Sequence, residues 1–175
     1  MIINRIWAMP NKNTFQIKPI KELIERYIEE IGGEDKRLIL NPFANISTYG
    51  ITNDIDESID TDYHMDAIDF FKMYSNNSVD MVLYDPPFSA RQVSECYTKC
   101  NKTVNMETTQ SSYWGNQKKE ISRIVKKDGI VICCGWNTGG IGVNNGFEII
   151  EILLVPHGGW HNDTIVTVCK KIKEQ

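Results

Sequence analysis

Apolar and polar positions alternate along the chain in blocks that read as short strands and helices. Residues 18–31 carry Ile20, Leu23, Ile24, Tyr27, Ile28 and Ile31 at three- and four-residue spacing, one face of a helix. Pro19 suits its first turn, where an N–H has no partner to lose. Gly32-Gly33 suits its end. Residues 37–41 and 49–53 read as short strands. Ala67 to Tyr74 reads as a helix with Asp66 as its cap. Val79 to Tyr84 is an apolar run that reads as a buried central strand. A helix is predicted over 90–100, a polar loop over 101–114 and a further helix over 116–127, ended by Asp128-Gly129. Residues 130–134 read as another buried strand. Residues 148–155 and 164–170 read as an antiparallel hairpin with a long loop. Strands interleaved with helices predict an α/β fold with a mostly parallel sheet and one closing hairpin. The connections after the first two strands are shorter than a helical crossover needs, so helices there are expected to be reduced.

Sheets of this kind bind ligands beyond the carboxyl ends of their strands. Asn41, Asn53, Asp85 and Trp136 fall at such ends, and Asp85-Pro86-Pro87-Phe88 is the most informative group among them. An exocyclic amino group on a nucleobase is a poor nucleophile, because its lone pair is delocalised into the ring. Two acceptors that take both N–H bonds pull the nitrogen toward a tetrahedral shape and aim the lone pair outward. An ionised Asp85 only accepts, and the Pro86 carbonyl supplies a second acceptor. Pro86 and Pro87 restrict the backbone and add no competing donor. Phe88 offers a flat face on which a base stacks. The bland alternative is a tight turn after a strand.

The tetrapeptide resembles the Asp-Pro-Pro-aromatic motif of the amino-methyltransferases. More widely, the chain resembles small phage-type DNA adenine N6-methyltransferases from about Trp7 to Lys171. Asp85-Pro86-Pro87-Phe88-Ser89, then Arg91-Gln92-Val93, Gly135-Trp136-Asn137, His157-Gly158-Gly159 and Asn162-Asp163-Thr164 carry that likeness together. The resemblance implies a Rossmann-like class I S-adenosylmethionine-dependent methyltransferase fold, with S-adenosylmethionine as cofactor and adenine N6 in DNA as target. It implies cofactor contacts from Thr14, Phe15 and Pro19 in the N-terminal element. Asn41-Pro42-Phe43-Ala44-Asn45 stands where the family has Asp-Pro-Phe-x-Gly, with Asn41 in place of the acid and no glycine-rich turn. Asp54, with Asp56 as alternate, is expected at the ribose hydroxyls. Asp66 and Ala67 are expected at the cofactor adenine. Catalysis falls to Asp85, Pro86, Pro87 and Phe88, and substrate contacts to Ser89, Arg91, Trp136 and Asn137. Cytosine N4, an RNA base or a protein glutamine are alternative targets, and a non-catalytic methyltransferase-like subunit is the alternative class.

Composition narrows the picture. The 175 residues suit one domain, with 98–117 as a candidate recognition loop and no room for a separate recognition domain. No apolar run reaches the roughly 20 residues of a membrane helix, and no long apolar leader is present, so a cytoplasmic protein is expected. Five cysteines without framework spacing fit a reduced compartment. His157, His161 and Asp163, or Cys96 and Cys100, lack the paired spacing of a zinc site, so no metal is expected. The net charge of −4 is unfavourable for a DNA enzyme working alone. Lys99, Lys102, Lys118, Lys119 and Arg123 are the candidate phosphate contacts, and a partner protein or an oligomer is the other route to DNA.

Overall fold

The structure, a computed structural model, describes residues 1–104 and 110–173. Its elements are β1 (Ile2–Arg5), α1 (Lys18–Glu30), β2 (Ile39–Asn41), β3 (Ile51–Thr52), α2 (Ala67–Lys72), β4 (Val79–Tyr84), α3 (Ala90–Lys99), α4 (Ser111–Ile124), β5 (Val125–Gly135), β6 (Phe147–Val155) and β7 (Thr164–Lys171). Seven strands form one sheet in the order β1-β6-β7-β5-β4-β2-β3. All neighbours pair in parallel except β7, which runs antiparallel to both β5 and β6.

Strand alternation divides the core between the two faces of the sheet. Met81, Leu83, Ile130 and Ile132 point to one side, where α1 lays Ile20, Leu23, Ile24 and Tyr27 on them. Val82, Tyr84, Val131 and Cys133 point to the other, where α2 and α4 bring Phe70, Phe71, Ile121 and Ile124. Register aligns the carboxyl ends that matter: Asn41 lies opposite Thr52, and Tyr84 opposite Cys133. No helix joins β2 to β3. The chain turns back through Gly50, whose left-handed φ of 61° and close approach to Ile39 leave no room for a side chain: a Cβ there would sit 2.5 Å from the Ile39 carbonyl oxygen.

Three sequence expectations need correction. β1 was not expected; it adds a parallel edge strand to β6, and its side chains are exposed, so burial gives it no signature. Residues 111–114, expected in a loop, are the first turn of α4. Tyr113, Gln117, Ile121 and Ile124 are all buried on that helix, and the polar Gln117 hides the stripe from a hydrophobic reading. Residues 125–127, expected in a helix, begin β5 instead, with Val125 opposite Val79. Val125 is buried and lies four residues after Ile121, so its apolar spacing fits a helix as well as a strand. Among the described residues no helix is long and apolar enough to cross a membrane.

Candidate active site

Two hollows open at the carboxyl ends of the strands, and the Pro86-Pro87-Phe88 segment walls both. The first, about 400 Å³, lies between the ends of β2 and β3 and helix α3. Pro42 and Phe43 line it, as do Asp54, Asp66, Ala67 and Asp85. The second, about 290 Å³, lies on the far side of the segment, toward the end of β5 and the start of α4. Phe88, Trp114, Lys118, Trp136 and Asn137 line that one.

Asp85 follows directly on β4, half-buried and lining the first hollow. Its Oδ1 is sealed from solvent and has no hydrogen-bond partner among the described residues. Burial pushes the carboxyl up to about 7, against a weaker downward pull from the Thr14 side chain. A sealed carboxylate oxygen without a partner at a strand end is an arrangement that ordinary folding does not require. The segment after it is held from outside. Trp114 Nε1 donates to the Pro87 carbonyl at 2.8 Å, and the Phe88 N–H donates to Gln92 Oε1 at 2.6 Å. Trp114 therefore takes the second proline's carbonyl and not that of Pro86, the one expected to face the substrate amine.

The loop after β2 is pinned by Asp54. Asp54 Oδ2 accepts from the Asn45 N–H at 3.0 Å and Oδ1 accepts from the Asp56 N–H at 3.0 Å. Asn45 sits in the left-handed region at φ 48°, where asparagine is tolerated better than most residues. Asn53 Nδ2 ties the same loop to the Pro42 and Met65 carbonyls. Asp66 caps α2 through Ile68 N–H, as expected, and also accepts from the Tyr97 hydroxyl. Burial and the Asp66 carboxylate together push the Tyr97 phenol well above its ordinary range. Asp56 instead turns to the rim, where Lys99 reaches it at 2.6 Å.

Other expected site residues stand apart from the two hollows. Phe15, Pro19, Asn41 and Ala44 are buried. Phe15 belongs to the packing of the α1 face, and Asn41 donates to Ser47 Oγ. Ser89 caps α3 by accepting from the Gln92 N–H. Arg91 points outward to Glu95, with its side chain 87% exposed. Of the candidate recognition loop, residues 105–109 lie outside the described residues. His157 is buried between the Ala8 carbonyl and Thr164 Oγ1, so both ring nitrogens are engaged. Among the described residues no group of three or more His, Cys, Asp or Glu side chains is placed to hold a metal ion. Sequence reading did not single out Tyr97 or Trp114, although Val93 and Tyr97 at i, i+4 on α3 mark its inner face.

No family model and no curated protein matches the sequence. Solved structures do match its fold. The 1,6-didemethyltoxoflavin-N1-methyltransferase of Burkholderia thailandensis, with bound 1,6-didemethyltoxoflavin and S-adenosylhomocysteine, is similar at a TM-score of 0.58 and 9% identity, over 87% of this chain and 78% of that one. TrmN from Thermus thermophilus is similar at 0.52 and 14% identity, over 89% of this chain and 49% of that one. SMU.776 complexed with S-adenosylhomocysteine is similar at 0.52 and 13% identity, over 84% of this chain and 48% of that one. The fold is that of the class I S-adenosylmethionine-dependent methyltransferases. The chain spans about half the length of the last two. In this methyltransferase fold the first hollow lies beyond the β2 and β3 ends and the second beyond the β5 end, with the Asp85 segment between them.

Proposed function

We propose that this chain transfers a methyl group from S-adenosylmethionine to the exocyclic N6 amine of adenine in DNA. One observation carries the reading: an acid with a sealed, unpartnered oxygen begins the segment that walls two small-molecule-sized hollows. A reaction across such a wall needs one reactant on each side.

The residues of the first hollow fit the cofactor. Its volume of about 400 Å³ falls within the roughly 300–1,000 Å³ of small-molecule sites. Each Asp54 oxygen accepts one backbone N–H and keeps a lone pair for a ribose hydroxyl. Asp66 keeps acceptor capacity for an adenine amine. When bound, the cofactor supplies a methyl group on a sulfonium, an electrophile open to direct displacement.

The chain's own groups do the rest. Phe88 and Trp136, with ring centroids 5.6 Å apart, offer faces and edges to a base in the second hollow. Asp85 accepts from the substrate amine and draws its lone pair toward the first hollow. With the methyl group transferred, the amine would have a proton to shed. A carboxylate with its pKa near 7 is matched to receive that proton. No covalent enzyme intermediate is needed; Cys133 and Cys134 are buried, and burial pushes both thiols above their ordinary range. The target base must leave a duplex to arrive there.

Methylome sequencing of cells expressing the chain tests this reading. N6-methyladenine that is present with the wild type and absent with Asp85→Ala is the expected result. Marks on cytosine N4 would keep the site and change the target. An unmarked genome, with unmarked RNA and protein, would overturn the reading.

A further inference from the structure

The second hollow contains a cation that the transfer chemistry does not use. Lys118 lines it, half-buried, one helical turn after Trp114 on α4. Among the described residues it makes no ion pair and no hydrogen bond. Most other members of the basic group are engaged or face elsewhere. Lys99 is paired with Asp56 at the first hollow. Arg123 is consumed by Glu120, the Phe71 and Tyr74 carbonyls and Asn76, and so ties α4 to the end of α2. Lys102 and Lys119 line neither hollow.

The surroundings of Lys118 suit one kind of ligand. Phe88, Trp114 and Trp136 give the hollow aromatic walls. Trp114 is fixed by its bond to the Pro87 carbonyl, and Trp136 is 42% exposed at the mouth. The half-buried Lys118 reaches this hollow, and no carboxylate lines it to pair with the ammonium. Flat faces for a base with one uncompensated positive charge beside them match a nucleotide. The face is offered by the rings, and the charge meets the phosphate.

We infer that Lys118 is the phosphate anchor of the second hollow, holding the backbone phosphate next to the extruded target nucleotide. This rests on the reading of that hollow as the base site. It assigns to one lysine the contact that sequence alone spreads over five. Lys118 acts on positioning and affinity and has no part in proton transfer.

The test is fluorescence anisotropy with a labelled single-stranded dA oligonucleotide and its rA counterpart, titrated in salt, for wild type, Lys118→Gln and Lys118→Arg. The expected result is about tenfold weaker binding by Lys118→Gln, with a log affinity against log salt slope shallower by roughly one. Lys118→Arg should retain most of the affinity. Calorimetry with S-adenosylhomocysteine should give the same constant for all three proteins, which excludes a damaged fold. Equal affinity and slope for Lys118→Gln and wild type would overturn the anchor, as would a wild type that binds neither strand. Tighter, equally Lys118-dependent binding of rA would keep the anchor and assign it to an RNA strand. Methyl transfer is measured on the same samples. A wild type that binds through Lys118 yet methylates nothing would keep the anchor and overturn the adenine reading.

Discussion

Two aspartates, one after β3 and one after β4, line the same hollow and have opposite surroundings. Asp54, after β3, accepts a backbone N–H on each oxygen and holds two loops together. Asp85, after β4, has an oxygen sealed from water with no partner. The first carboxylate is satisfied by the fold and strengthens it. The second is left unsatisfied by the fold, at a cost in stability that ordinary folding does not recover. Residue type and strand-end position are shared, so the difference lies in which N–H groups come within reach. Asn45 and Asp56 present free N–H groups to Asp54, whereas Pro86 and Pro87 have none to present to Asp85.

The sharpest break between the two is catalytic. Asp85→Ala should cut methyl transfer by at least about a hundredfold, the scale of a polar group aimed at a transition state, and leave circular dichroism unchanged. A folded variant with near-normal turnover would remove Asp85 from the chemistry.

Stability should separate them next, and with opposite signs. The Asp85 carboxyl is raised to about 7 from the ordinary 3.8. A raised acid favours the folded state fully only below its unfolded value, and that contribution is lost as pH climbs through about 7. Asp85→Asn should therefore melt higher than wild type at pH 8.5 and gain little at pH 4. The gap is at most about 4 kcal/mol, the full free energy of such a shift. A gap that does not widen with pH would mean that the carboxyl is not strained in the folded protein.

Asp54→Ala should do the reverse. It strands two N–H groups, so it should lower the melting temperature by the equivalent of about 1–3 kcal/mol and weaken S-adenosylhomocysteine binding tenfold or more in calorimetry. An unchanged dissociation constant with a lowered melting point would confine Asp54 to loop structure and move the ribose contact to Asp56. The smallest effect belongs to Asp56 itself. Its carboxylate is held well below the ordinary range by Lys99 and Ser58, but its Lys99 partner is 72% exposed and the pair is open to screening. Asp56→Asn should leave the melting temperature unchanged within error at physiological salt.

Much of this was legible in the sequence because periodicity and strand-end chemistry are local. The α1 stripe, the β4 run, the Asp66 cap and the β6–β7 hairpin each follow from a dozen residues or fewer. What escaped depends on distant partners. Gln117 is buried because Tyr84, 33 positions away, donates to its Oε1 at 2.7 Å, and that polar residue conceals the start of α4. β1 is defined by pairing with β6 across the whole chain. At the site, Asp85 and Trp136 were marked by their strand ends and Asp54 and Asp66 by the family resemblance, and all four line one of the two hollows. Ser89 and Arg91 sit beside the motif in sequence, but α3 turns Ser89 to a capping role and Arg91 outward. Lys118 was one of five equivalent lysines and arginines until ion pairing set aside Lys99 and Arg123 and position set aside Lys102 and Lys119.

The central claim is that Asp85 is held unsatisfied so that it can engage a substrate amine. Single-turnover transfer of a labelled methyl group to an adenine-containing oligonucleotide tests it most directly. Wild type and Asp85→Asn are compared across pH 5.5–8.5, with S-adenosylhomocysteine affinity measured on the same preparations. The account predicts a wild-type rate that rises with pH through about 7 as the carboxyl ionises, an Asp85→Asn rate lower by at least about a hundredfold, and equal cofactor affinity. A flat wild-type profile together with an active Asp85→Asn protein would contradict it.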